Sequence, residues 1–208
     1  MGENEPRKGV AAAMASANPK EPDYPKTIAI LLAMLGFGTG LAYGSLFLDS
    51  EAGRANRAAK LSVVASMDLK WLYGALVLLG RTVALLNFVP TAYKSGVKGN
   101  ARANPFIFET ADGSPVLYRE SGFEGRYNRA NRSVQHMVEG AGPFLAALAP
   151  VGWLFPRQTA AAAAAFCAGR VLHQKGYARG YGGHAPGFIL TMLALLTVEG
   201  LAVLACLL

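Results

Sequence analysis

The chain has few residues of the kinds that build water-soluble or secreted folds. Charged residues make up only 16% of its 208 residues, and there are two cysteines and three histidines. Cys167 and Cys206 both lie in apolar segments without a CxxC pair, so we interpret them as packing residues and expect no disulfide framework. The sequence also lacks an HExxH motif or a similarly compact ligand spacing, so no metal site is predicted.

Long runs without charge are the main positive feature of the sequence. Residues 27–48 carry no charged side chain, and a helix needs about 20 apolar residues to cross a bilayer. Further apolar runs occupy residues 71–93, 137–155, 159–172 and 187–208. The run at 159–172 is short enough to be a re-entrant or buried helix instead. The sequence therefore predicts an all-α, integral membrane helical bundle of five helices.

The polar segments predict the organisation of the chain and its orientation in the membrane. Residues 1–26 form a polar N-terminal tail, and residues 94–132 form a long polar loop. The tail, this loop and the loop around Lys175 together carry a net charge of +5, against about +2 on the other side. The positive-inside rule places the first group at the cytosolic or equivalent face. We assign the overall charge of +7 to contacts with membrane lipids, because no nucleic-acid-binding signature is present.

A basic side chain, an imidazole and a carboxylate share one face where the 137–155 run begins. Arg132, His136 and Glu139 are spaced four and three residues apart. A carboxylate inside an apolar run costs roughly 2.5 kcal/mol or more, so Glu139 should have a partner or a function. Arg132 lies two helical turns earlier on the same stripe and can supply the charge. Two interpretations stay open, a structural ion pair and a polar ligand pocket.

A second polar face follows the alanine run at residues 160–165. Arg170, His173 and Tyr177 are three and four residues apart and therefore share a helical face. The segment beyond adds the polar residues Lys175, Arg179, Tyr181 and His184. The predicted topology brings both polar faces to one side of the membrane, where they suit a small anionic or zwitterionic ligand. The alternatives are a structural partnership of Arg170 with a glutamate and an interfacial position for Tyr177.

Two segments resemble motifs of the MAPEG family, the membrane-associated proteins of eicosanoid and glutathione metabolism. Residues 132–144, RSVQHMVEGAGPF, are similar to its second-helix pattern of Arg, Asn four residues on, Glu and then Pro-Phe. Residues 169–177, GRVLHQKGY, resemble its third-helix motif of Gly-Arg, an aromatic residue and Gly-Tyr. The resemblance implies a four-helix MAPEG-like domain over residues 69–208, with 27–48 as an additional N-terminal transmembrane helix, and assembly as a homotrimer.

The resemblance also implies a function. Such proteins are glutathione-dependent transferases or peroxidases, acting on hydrophobic, lipid-like electrophiles or lipid hydroperoxides that arrive through the bilayer. Arg132 would pair with a glutathione carboxylate, Glu139 with the γ-glutamyl ammonium group, and Tyr177 would donate a hydrogen bond. The implied glutathione-binding set is Arg132, His136, Glu139, Arg170, His173 and Tyr177. His184 stands where the leukotriene C4 synthase branch has a thiol-activating arginine, which implies a catalytic role for it.

Departures from the family pattern support a second hypothesis. His136 replaces the usual Asn, Gly140 replaces a frequent Tyr, and His173 replaces an aromatic residue. A histidine at position 184 is only partly charged near neutral pH and would stabilise a thiolate less than arginine does. The alternative is a non-catalytic structural subunit of a larger membrane complex, for instance in an energy-transducing organelle. We expect the endoplasmic reticulum or a mitochondrial or plastid membrane; few intramembrane charges argue against a transporter.

Overall fold

The computed structural model describes residues 21–94, 108–109, 117–118 and 122–207. Most of the predicted tail at 1–26 and much of the predicted loop at 94–132 lie outside these residues. The described helices are α1 (Tyr24–Ser45), α2 (Glu51–Ser66), α3 (Lys70–Lys94), α4 (Gly122–Leu154), α5 (Pro156–Arg179) and α6 (Ala185–Leu207). A 3₁₀ turn at Leu46–Leu48 follows α1. The two-residue segments Phe108–Glu109 and Leu117–Tyr118 pair antiparallel within the loop.

Helices α3 to α6 pack together as a bundle, and α1 packs beside α3. The core contains the fully buried side chains of Leu86, Met137, Phe144 and Phe166. The rings of Phe144 and Phe166 stack with their centres 4.0 Å apart, which joins α4 to α5. The fold is therefore an all-α membrane bundle, as predicted, with four central helices and an additional N-terminal helix.

Four segments are long and apolar enough to cross a membrane: Tyr24–Leu48, Lys70–Tyr93, Gly125–Leu154 and Ala185–Leu207. Large apolar side chains point outward from them, as Phe37 of α1 does with 71% of its surface exposed. Water would solvate such a surface poorly, whereas lipid tails cover it without cost. The chain is an integral membrane protein, and α5, which is less apolar, lies among the other helices.

Several helix bounds differ from the sequence prediction. Helix α1 begins at Tyr24 rather than at residue 27, because the Asp23 side chain accepts a hydrogen bond from the Lys26 backbone N–H at 2.9 Å and Pro25 suits a first turn. Helix α4 begins at Gly122, so the end of the predicted 94–132 loop is helical. Helix α2 was not predicted, because its mixed charges and alanines give no apolar run; Ser50 caps its first turn.

The run at 159–172 belongs to a full-length helix rather than to a short or re-entrant one. Helix α5 spans 24 residues, and many of its side chains are buried although several are polar. Gln174 is fully buried and donates to the backbone carbonyl of Leu86 at 3.0 Å. That carbonyl lacks its helical donor, because the residue four positions on is Pro90, which has no N–H. Gln174 therefore supplies the hydrogen bond that the proline removes.

Helices α5 and α6 approach each other at glycine. A Cβ atom on Gly187 would lie 2.5 Å from the Gly169 carbonyl oxygen and 2.6 Å from the Cα atom of His173. A Cβ atom on Gly169 would lie 2.6 Å from the Thr191 hydroxyl. Such contacts are far closer than the 3.5–4.0 Å at which carbon atoms pack. Small residues thus set the distance between these two helices and the position of His173.

An ion pair links two helices at the end of the bundle where α2 lies. Asp68 adopts a left-handed backbone conformation, with φ at 56°, in the turn between α2 and α3. Its carboxylate accepts from the Arg157 side chain at the start of α5, with N–O distances of 2.9 and 2.6 Å. The predicted polar side chains gather at the opposite end, where α4 begins and α5 ends.

Candidate functional site

An open cavity of about 260 Å³ lies between the first half of α4, the end of α5 and the start of α6. Its walls are formed by parts of these three helices and by the short α5–α6 connection, so residues far apart in the sequence lie together. The side chains that line it are Arg132, His136, His173, Tyr177, Tyr181, His184 and Phe188. Five of the seven residues predicted for the site therefore line a single cavity.

The remaining two predicted residues contact this lining. Glu139 accepts from Arg132, with 2.9 Å between Oε1 and Nη1, as their shared stripe indicated. Both side chains are about half exposed, at 48% and 46%. An exposed pair of this kind contributes little to stability. Both groups thus stay accessible to a ligand that carries charges of both signs.

Arg170 reaches the site from the interior of the bundle. Only 2% of its surface is exposed, and its Nη1 atom lies 3.2 Å from Nδ1 of His136. Its Nη2 atom donates to the Ser133 carbonyl at 3.4 Å, and its Nε atom has no hydrogen-bond partner among the described residues. A buried cation without a direct carboxylate partner in this part of the chain raises the positive potential beside the cavity.

Two histidines differ in how they are held. His173 is 4% exposed, and its Nδ1 atom lies 2.9 Å from the Ser133 hydroxyl, which fixes its ring. The ring of His184 lies 5.5 Å from that of His173 and 5.2 Å from that of Tyr177. Its Nδ1 atom is buried and has no hydrogen-bond partner among the residues that the structure describes. His184 therefore has a buried ring nitrogen whose hydrogen-bonding capacity is not used by the described residues.

Aromatic residues and an arginine shape the outer part of the cavity. The Phe188 ring stacks on His136, with centres 6.2 Å apart and planes 12° apart. Arg129 donates to the backbone carbonyls of Tyr177 at 3.1 Å and Ala178 at 3.3 Å, so it caps the last turn of α5. The same guanidinium lies 5.8 Å from the centre of the Tyr181 ring. These contacts position the connection that carries His184.

Four residues of this arrangement were absent from the predicted set, and one of them is Arg129. Phe188 lies one helical turn after His184, and that spacing of four is a signal that could have identified it. Tyr181 was grouped with the polar loop but without a role. Ser133 gave no signal, because its partner His173 is on another helix.

The arrangement suits a small ligand carrying positive and negative groups. Arg132 offers a donor for a carboxylate and Glu139 an acceptor for an ammonium group, while Arg170 adds positive charge at depth. Within the described residues, no group of three or more His, Cys, Asp or Glu side chains could hold a metal ion. At about 260 Å³ the cavity is slightly smaller than the roughly 300–1,000 Å³ of pockets that enclose a small molecule.

Comparison with protein families identifies a match over about two-thirds of the chain. The family model described as the MAPEG family matches residues 71–205, which include helices α4 and α5 and nearly all of α3 and α6. Helices α1 and α2 precede the matched region. Neither the curated proteins nor the solved structures contain a significant match to the chain.

Proposed function

The chain belongs to the MAPEG family, and we propose that it is a glutathione-dependent membrane transferase or peroxidase acting on hydrophobic electrophiles or lipid hydroperoxides. The observation that supports this most directly is the accessible pair of Arg132 and Glu139 beside a histidine-lined cavity. Glutathione carries carboxylates and an ammonium group, so its charges match this pair. The protein would work in the endoplasmic reticulum or in a mitochondrial or plastid membrane.

In this proposal the polar side chains bind and orient the tripeptide. Arg132 pairs with a carboxylate of glutathione, and Glu139 accepts from the γ-glutamyl ammonium group. Tyr177 donates a hydrogen bond, and Arg170 holds His136 beside the ligand through their 3.2 Å contact. His173, fixed by Ser133, forms the floor of the cavity. The binding set is thus the predicted one, with Ser133 acting through His173.

His184 is the proposed catalytic residue, because its Nδ1 atom has no partner in the described part of the chain and its ring faces the cavity. It would take the thiol proton, leaving a thiolate to attack. With an electrophile, a carbon–sulfur bond forms and a leaving group departs or a double bond is saturated. With a hydroperoxide, two glutathione molecules become the disulfide while the hydroperoxide becomes an alcohol and water.

The proposed enzyme works as a homotrimer whose neighbouring subunits complete each site. The cavity of one chain is open, and Phe188 at its edge remains 40% exposed. A second copy packed there would cover this ring and enclose the tripeptide. The hydrophobic substrate would reach the thiolate from the lipid side, where apolar side chains of α6 such as Ile189 lie exposed.

Equilibrium binding of glutathione to the detergent-purified protein tests the proposal. Saturable binding is expected, and Arg132→Ala should weaken it at least tenfold, as removal of a charge-assisted hydrogen bond does. Arg157→Ala is the matched control, because it breaks the ion pair with Asp68 at the opposite end of the bundle. No binding at millimolar glutathione, or equal losses in both variants, would contradict the proposal.

A second candidate function is a non-catalytic structural subunit of a larger membrane complex. The observation that favours it is that several site residues bond one another: Arg132 with Glu139, Arg170 with His136, and Ser133 with His173. Helix α1 also leaves most of its apolar surface uncovered. Under this alternative the protein would elute with other subunits after mild solubilisation, and Glu139→Gln would reduce its retention in that complex.

A further inference from the structure

A second and larger cavity, of about 540 Å³, lies between the start of α1 and the bundle. Glu21 and Tyr24 form the wall on the side of α1, and Tyr93 at the end of α3 lies across from them. Arg126 of α4 and two basic residues of α5 complete it. Among the described residues, it shares no lining residue with the histidine-lined cavity. Because α1 precedes the family-matched region, this cavity includes a part of the chain that the family match does not cover.

Two basic residues near the end of α5 lie on the face opposite the proposed glutathione site. Lys175 and Arg179 are four residues apart and line the second cavity, whereas His173 and Tyr177 line the first. Residues two positions apart on a helix differ by about 200° around its axis. The sequence had placed Lys175 and Arg179 on the same side of the membrane as His184; in the structure they face a different cavity from His184. Helix α5 therefore separates two polar cavities.

Positive charge is in excess in the second cavity. Three cationic side chains line it, those of Arg126, Lys175 and Arg179, while Glu21 is the one carboxylate among its described lining residues. Glu21 forms an ion pair with Arg126. The ammonium group of Lys175 lies 5.1 Å from the centre of the Tyr24 ring, which is a cation–π contact, and Lys175 forms no ion pair with a carboxylate of the described residues. The cavity thus favours an anion.

The cavity lies at the level of the lipid headgroups. Tyr24 begins one membrane-spanning segment and Tyr93 ends another. Tyrosine at such positions is typical of the membrane–water interface, and basic residues there attract phosphate-bearing headgroups. Lys175 and Arg179 are exposed, so a ligand can reach them without any rearrangement of the bundle.

We propose that this cavity binds a phosphate-bearing anion between the additional helix α1 and the end of α5. Arg126 and Arg179 would donate to the phosphate oxygens, with Lys175 as a further positive charge. An anionic lipid headgroup and a soluble phosphate ester share this chemistry. The volume of the cavity lies within the roughly 300–1,000 Å³ of small-molecule pockets, so it can hold a lipid headgroup or a soluble phosphate ester.

The test is equilibrium binding of phosphatidic acid to the full-length protein in neutral detergent micelles. The double variant Lys175→Gln with Arg179→Gln should weaken binding about 30-fold, because each basic residue near anionic lipid contributes roughly a fivefold gain. The matched control is Arg54→Gln with Lys60→Gln on exposed α2, which removes the same charge at the other end of the bundle. Equal losses in the two double variants, or no loss in the first, would overturn the proposal.

Two further binding measurements identify the source of the phosphate. Saturable binding of glycerol 3-phosphate in the absence of added lipid would assign the site to soluble phosphate esters. If phosphatidic acid binds but glycerol 3-phosphate does not, and zwitterionic phosphatidylcholine does not compete, the site would be assigned to an anionic lipid. Absence of both would overturn the proposal. Glutathione binding should be the same in the Lys175/Arg179 variant and the wild type, which also shows that the variant is folded.

Discussion

Replacing Gln174 with leucine tests how the bundle accommodates Pro90. The substitution nearly conserves volume, but it removes the 3.0 Å hydrogen bond to the Leu86 carbonyl. That carbonyl would then be buried without a donor, because Pro90 has no N–H. Leaving a buried acceptor unsatisfied costs about 1–3 kcal/mol. A second contact of the amide, to the Ala130 carbonyl at 3.5 Å, is too long to add much.

One feature of Gln174 reduces this cost. Its Oε1 atom is buried and has no hydrogen-bond partner among the described residues, so the leucine side chain also removes an unsatisfied acceptor. The net loss should therefore be about 1–2 kcal/mol. For a chain of this size, 1 kcal/mol shifts the melting temperature by roughly 2–4 °C. We expect Gln174→Leu to lower the melting temperature in detergent by about 2–8 °C.

A double-mutant cycle isolates the cause. In Pro90→Ala the new backbone N–H can bond the Leu86 carbonyl within α3, so the amide of Gln174 is no longer needed there. Gln174→Leu should then cost about 1 kcal/mol less in the Pro90→Ala background than in the wild type. Thermal unfolding of the four proteins, followed by circular dichroism, measures this coupling. Equal losses in both backgrounds would refute the link between Gln174 and Pro90.

Three further outcomes are expected. Glu139→Gln should weaken glutathione binding about tenfold or more in equilibrium dialysis while the oligomer keeps its size on a sizing column, and loss of the oligomer would instead indicate a structural ion pair. Gly187→Ala should lower the melting temperature by about 2–12 °C, since overpacking costs roughly 1–3 kcal/mol, whereas Gly200→Ala in open space should not lower it. Arg157→Gln should lower the free energy of unfolding by at most about 1 kcal/mol, because its ion pair with Asp68 is exposed. Salt at 1 M screens such a pair, so the difference from the wild type should disappear there.

The transmembrane architecture was predictable because the bilayer imposes a simple rule on sequence. Runs of about 20 apolar residues indicate spans, and all four candidate spans in the structure overlap runs read from the sequence. Helix α2 and the first turns of α4 were not predicted, because they are polar and lie outside the apolar runs. The predicted bounds of α5 were also too short. Its polar residues lie outside or interrupt the apolar run, and in the structure they are buried against neighbouring helices rather than in lipid.

The candidate site was predictable only within each helix. The spacing of Arg132 and Glu139 indicated their contact, because both residues lie on one stripe of one helix. The contact of Ser133 with His173 depends on how α4 packs against α5, and no local pattern encodes that.

The polarity of α5 has a consequence for how the protein is made. Arg170, His173 and Gln174 lie inside a 24-residue helix that is not among the segments apolar enough to cross a membrane alone. An arginine or lysine near the centre of a helix adds roughly 2.5–3.5 kcal/mol to the free energy of insertion from the translocon. The strongly apolar α6 follows after a short connection and packs against α5 through glycine. We therefore expect α5 to enter the bilayer together with α6, as one hairpin, after α6 has emerged from the ribosome.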